Sequence, residues 1–92
     1  MSSRPRPHLI LFTRDALKSL ATLPVKVQAQ IRNTIDALAK DPRPARCTKL
    51  QSADNLWRVY SGSYRVIYSI EDQMITVTVV RIGHRKDVYR GL

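Results

Sequence analysis

The sequence predicts an α+β fold: an N-terminal strand, an antiparallel helical hairpin, then a three-strand antiparallel meander, with the helices covering one face of a single sheet. Three observations predict it. An apolar run, HLILF, opens the ordered part of the chain. Two segments between Thr13 and Asp41 carry apolar residues at helical spacing. Three strand-like runs then follow, separated by a glycine turn and a polar turn.

Residues 1–7 combine Ser, Arg and Pro and read as a flexible basic arm, with residues 8–92 forming one domain. Residues 8–12 read as a strand, and the unbroken apolar run suggests a central one. Thr13 is a suitable helix N-cap, and Asp15 falls in the first turn, where a carboxylate suits the helix dipole. Ala16, Leu17, Leu20 and Ala21 then form one apolar stripe. Pro24 suits the first turn of a second helix, where its missing N–H costs nothing. Val27, Ile31, Ile35 and Leu38 supply that helix's apolar face, and Asp41-Pro42 ends it. So short a connection between two amphipathic helices predicts antiparallel packing.

Residues 43–55 read as a loop, with Lys49-Leu50 anchoring one end. Strands follow at 56–60, 64–70 and 74–82, with turns at Gly62 and at Glu71-Asp72-Gln73. The tail from Gly83 has room for about one helical turn.

Charge narrows the function classes. A formal net charge of +9 on 92 residues points to RNA, DNA or an acidic protein partner. The single cysteine, Cys47, excludes an internal disulfide and fits a reducing, cytoplasmic setting; it reads as a packing or loop residue. Only His8 and His84 accompany it, so no metal site is expected. The apolar run near the N-terminus is too short for a signal-peptide core or a membrane span.

The meander carries its charge unusually. Arg58, Arg65, Arg81 and Arg85 fall in or just after the strands, beside Tyr60, Tyr64, Tyr68 and Tyr89. A two-residue turn at Ser61-Gly62 sets Arg58 opposite Arg65, and one at Gly62-Ser63 sets Tyr60 opposite Arg65. Both registers put Arg58, Tyr60 and Arg65 on one face, because strand alternation has period two. Like charges brought together this way disfavour folding. They make sense as a phosphate cradle of guanidinium forks, or as a solvated outer face on which they cost little. Tyr64, Tyr68 and Trp57 have the opposite parity and belong to the core or its edge. Tyr89 offers a ring for base stacking or for packing.

The run LWRVYSGSYRVIYSI, followed by VVRIGHRKDVY, resembles the RelE toxins of the RelE/ParE superfamily, and the helical hairpin with its Leu-Pro connector and Lys49-Leu50 fit as well. The resemblance implies a small ribonuclease of a toxin–antitoxin pair that cuts mRNA in the ribosomal A site without metal or organic cofactor. It implies an acidic, RelB-like antitoxin that binds and neutralises the toxin in a hetero-oligomer. By the same resemblance, Arg65 stabilises the scissile phosphate, Arg85 assists the leaving group and Tyr89 stacks on an mRNA base. Arg58 takes the first of two basic positions on the preceding strand. Tyr60 takes the second, where the family often has Lys or Arg, and so joins His84 and groups outside the chain as a candidate proton acceptor. Lys49, Arg81 and Lys86 complete the expected substrate-binding set. Two alternatives share the fold: a ParE-like inhibitor of DNA gyrase, and a weakened homologue that only binds RNA or its antitoxin.

Overall fold

Strand β1 (Leu9–Phe12) leads through Thr13 into helix α1 (Arg14–Ala21), and Pro24 opens helix α2 (Val25–Lys40). A short β2 (Thr48–Lys49) precedes β3 (Trp57–Ser61), β4 (Tyr64–Glu71) and β5 (Thr76–His84). The computed structural model describes residues 7–51 and 54–90, so most of the expected basic arm at 1–7 lies outside the described residues.

The strands form one five-stranded sheet in the order β1-β5-β4-β3-β2. Its centre is the expected antiparallel meander, β3-β4-β5. Ala16 and Leu20 of α1 and Ile31, Ile35 and Leu38 of α2 join Val59, Val66, Tyr68, Ile70, Val77, Val79 and Ile82 in one buried cluster. Both helices therefore cover one face of the sheet. Tyr68 is fully buried and donates its hydroxyl to the Pro42 carbonyl at 2.7 Å.

The caps follow the local chemistry. Thr13 Oγ1 accepts the Ala16 N–H at 3.1 Å, the expected N-cap, and donates to the Val80 carbonyl at 2.7 Å, which fastens the start of α1 to β5. Pro24 stands one residue ahead of the first helical turn rather than inside it; its extended ψ of 147° leaves its carbonyl free to accept from Gln28 N. Beyond α2, Arg43 grips Asp72 with both fork nitrogens, at 3.2 and 2.9 Å, and holds that carboxyl below its ordinary pKa.

Four expectations need correction. The first strand is an edge strand, not a central one: it pairs only with β5, in parallel, and Leu9 and Leu11 remain 60% and 46% exposed. An apolar run reports composition, but only Ile10 and Phe12 pack against the core. The stripe on α1 is narrower than four residues: Leu17 and Ala21 are exposed, because so short a helix meets the sheet along one row. The segment read as loop contains β2, which pairs with the outer edge of β3. The last strand starts at Thr76 rather than Met74, since Asp72–Met74 form a 3₁₀ turn and Ile75 adopts a left-handed φ of 48°.

One irregularity positions the site. The β4–β5 register shifts between Ile67 and Tyr68, so Tyr68 faces Val79 while Ile67 faces Arg81, leaving Val80 as an extra residue. Unbroken alternation would put Val77, Val79 and Arg81 on one face. The bulge instead keeps Val77, Val79 and Ile82 in the core and turns Arg81 and Gly83 to the outer face.

Candidate anion-binding face

The face of the sheet away from the helices carries the arginines. The β3–β4 hairpin turns at Gly62-Ser63, with Ser61 opposite Tyr64 and Tyr60 opposite Arg65. Gly62 takes a φ of +60°, which a two-residue hairpin turn asks of its first residue. Of the two registers open from sequence, this one sets ring rather than charge opposite Arg65, and Arg58 faces Ile67.

The side chains interlock. The Arg65 guanidinium carbon lies 4.1 Å from the Tyr60 ring centroid, and that of Arg58 lies 5.5 Å from the same ring. Arg65 Nη1 also donates to the carbonyls of Gly62 and Tyr64, each at 3.1 Å, so the hairpin turn holds its guanidinium. Arg58 Nη1 donates to the Tyr89 hydroxyl at 2.7 Å while its guanidinium lies over the Tyr89 ring at 5.8 Å. That hydrogen bond raises the Arg58 pKa further above its ordinary value. Arg58 Nε is buried with no acceptor among the described residues. None of Arg58, Arg65 and Arg85 pairs with a carboxylate among the described residues.

The C-terminal turn folds back over this face. Arg85 N–H bonds the Ser63 carbonyl at 2.9 Å, and the amides of Asp87 and Val88 bond the His84 carbonyl. Val88 is buried against Gly83, where an added Cβ would meet it at 3.5 Å. Ile67 is fully buried although it points away from the helices, with Arg58 and Arg81 as its cross-strand neighbours.

Not every expected site residue gathers here. Arg58, Tyr60, Arg65 and Tyr89 touch one another, and Arg85 stands exposed beside the hairpin turn. Lys86 is exposed on the same C-terminal turn. Arg81 shares the face but its fork is occupied: Nη1 donates to the carbonyls of Val88, at 3.2 Å, and Arg90, and Nε lies 3.9 Å from Asp15. It acts as a clamp on the C-terminal turn, not as an open cation. His84 lies on the helix side, opposite Tyr64, whose ring it meets edge-on at 5.8 Å. Lys49 pairs with Trp57 and sits over its indole at 5.9 Å, and it also borders a hollow beside Arg58.

Sequence reasoning missed the neighbour across the edge. Thr48 pairs with Arg58, and with Gln51 it lines a hollow of about 360 Å³ beside that arginine. A two-residue strand leaves no periodicity to detect. A larger hollow, about 460 Å³, lies between α1, the end of β5 and the C-terminal turn; it sets Asp15 and Asp87 beside Arg81 and Arg90 and lacks the one-sided charge of an anion site. Among the described residues no cluster of His, Cys, Asp and Glu could hold a metal, and no helix is long and apolar enough to cross a membrane.

Known proteins match this fold and this length. Toxin RelG of Mycobacterium tuberculosis is 28% identical over 85 residues, covering 91% of this chain and 98% of its own. The toxin–antitoxin complex RelBE2 of Mycobacterium tuberculosis contains a chain with a TM-score of 0.78 and 26% identity, covering 94% of this chain and 100% of that one. The intact Escherichia coli RelBE toxin–antitoxin complex contains one with a TM-score of 0.73 and 25% identity, covering 84% and 95%. The sequence profile of a family described as ParE toxin of type II toxin–antitoxin system, parDE, matches residues 10–89. The chain thus belongs to the ParE toxin family of type II toxin–antitoxin systems, within the RelE/ParE superfamily, and its relatives there include RelE-type toxins.

Proposed function

We propose that this protein is a ribosome-dependent mRNA endonuclease that inhibits translation in the cytoplasm until an acidic, RelB-like antitoxin binds it in a hetero-oligomer. The observation that carries the reading is the Arg58–Tyr60–Arg65 cluster with Tyr89 docked on Arg58, free of carboxylate partners among the described residues. A surface charge cluster without counter-charge is suited to phosphate. The similarity to chains from toxin–antitoxin complexes supports the antitoxin partner.

The chemistry is attack of a ribose 2′-OH on the adjacent phosphorus, with loss of the 5′-oxygen as an alcohol and formation of a 2′,3′-cyclic phosphate. Arg65, already fixed by two carbonyls and a ring, meets the charge that grows on the phosphorane oxygens. Arg85 is free to meet the leaving oxygen, and Arg58 binds a neighbouring phosphate. Tyr89 leaves the Arg58 guanidinium to stack on a base. His84 faces away, so the 2′-OH proton goes to Tyr60 or to groups of the ribosome.

The test is primer extension on a defined mRNA in a purified translation system. The expected result is discrete cuts at the A-site codon that vanish with Arg65→Ala; stalled translation with intact mRNA would leave a protein that binds RNA or ribosomes without cutting. The ParE description of the matching family keeps one second reading, inhibition of DNA gyrase. It predicts a DNA-damage response on expression, with translation unaffected.

A further inference from the structure

We infer that Tyr60 is a positioning residue of the arginine face, whose ring, not its hydroxyl, sets where the Arg58 and Arg65 guanidiniums point. The inference rests on reading that face as an anion site. Three observations converge on the ring. Tyr60 stands directly opposite Arg65 in the hairpin register. Its centroid lies 4.1 Å from the Arg65 guanidinium carbon and 5.5 Å from that of Arg58. No hydrogen bond from the Tyr60 hydroxyl to another described residue accompanies these contacts, and the residue is 42% exposed.

The physics favours a ring at this place. Two guanidiniums on adjacent strands repel, and a third cation between them would sharpen the repulsion. An aromatic face attracts both cations and adds no charge. It also restricts them laterally, which an extended arginine on a solvated face otherwise lacks. Arg65 gains most, because the turn carbonyls of Gly62 and Tyr64 fix Nη1 while the ring supports the plane of the fork. Arg58 is supported by Tyr60 and Tyr89 together. A phosphate then meets two donors already aimed, and the ordering cost is met on folding instead of on binding. With Tyr60 assigned to support, the proton acceptor for the 2′-OH lies outside this chain.

The experiment compares the intact protein with Tyr60→Phe, Tyr60→Leu and Tyr60→Lys. Side-chain NMR of the arginine Nε–Hε groups reads the geometry directly. The wild-type and Tyr60→Phe proteins should share ring-shifted Arg65 and Arg58 signals; Tyr60→Leu should lose the Arg65 shift and keep only the part of the Arg58 shift that comes from Tyr89. Binding of a 2′-O-methylated, uncleavable oligoribonucleotide should weaken about five- to ten-fold in Tyr60→Leu and stay within about two-fold in Tyr60→Phe. Tyr60→Lys should lose the same shifts as Tyr60→Leu, although it adds a positive charge. In the translation assay the pH profile of cutting by Tyr60→Phe should have the wild-type shape, because the hydroxyl takes no proton. Unchanged arginine signals in folded Tyr60→Leu overturn the inference, and so does a Tyr60→Phe protein that binds RNA normally yet cannot cut. If the wild-type protein cuts nothing while the ring still governs the arginine signals and oligonucleotide binding, the nuclease reading falls and the positioning role stands.

Discussion

Arg58 and Tyr89 are joined by a 2.7 Å hydrogen bond across 31 residues of sequence. The bond closes the C-terminal turn onto β3 and holds the ring proposed for base stacking over a guanidinium. Tyr89→Phe should lower unfolding stability by about 1 kcal/mol, the usual net worth of such a bond. Tyr89→Ala should weaken RNA binding by about 10-fold or more, since a stacked base contributes about 1–3 kcal/mol. Urea denaturation of the first and oligonucleotide titration of the second check the two effects separately.

Arg65 and Arg85 carry the proposed chemistry. Each alanine substitution should reduce mRNA cutting on the order of 10²–10³-fold, the typical cost of losing one charge-stabilising donor. Because Arg65 is half-buried and Arg85 exposed, both variants should unfold near the wild-type midpoint. Full toxicity of a stably expressed Arg65→Ala/Arg85→Ala protein would exclude the nuclease reading.

Arg81 should behave differently. Arg81→Met removes the donor to the Val88 and Arg90 carbonyls and leaves Asp15 unpaired. The expected loss is about 1–3 kcal/mol of local stability, read as faster hydrogen exchange at the Val88 amide. Unchanged exchange there would return Arg81 to the substrate-binding set.

Tyr68 makes alkaline stability a test of the core. Burial pushes its pKa well above the ordinary tyrosine value of about 10. The folded pKa is raised, so its contribution is intact below about pH 10 and is lost as pH rises above that value. Ultraviolet titration should show the Tyr68 phenolate forming only as the protein unfolds, and Tyr68→Phe should remove that component.

Gly62→Ala isolates the hairpin turn. An added Cβ meets nothing closer than Gln30 Nε2 at 3.9 Å, so the change acts through the φ of +60° alone. A loss of about 1 kcal/mol is expected, visible as a lower urea midpoint with an unchanged slope.

Local chemistry was legible in the sequence: the Thr13 cap, the α2 face, the Gly62 turn and the shared face of Arg58, Tyr60 and Arg65 all follow from spacing and period. What escaped depends on long-range pairing. The edge position of β1 is decided by a partner 67 residues away, because Leu9 pairs with Thr76. The fate of Arg81 is decided by the bulge at Val80, which reverses the parity of everything after it. The same reversal carries His84 to the face opposite the arginines, and the pairing of Thr48 with Arg58 is too short to leave a pattern.

The parallel pairing of β1 with β5 also orders events in time. The helices and the β3–β4 hairpin are built from local contacts and can form early, but neither Leu9 nor β4 can meet β5 until Thr76–His84 has been made. The Arg85–Tyr89 turn emerges later still during synthesis. Each molecule therefore passes through an interval in which its sheet lacks an edge strand and its arginine face lacks its C-terminal cover. In that interval the exposed side of β5 is open to any other strand, so a partner already present at the site of synthesis meets the chain before folding is complete.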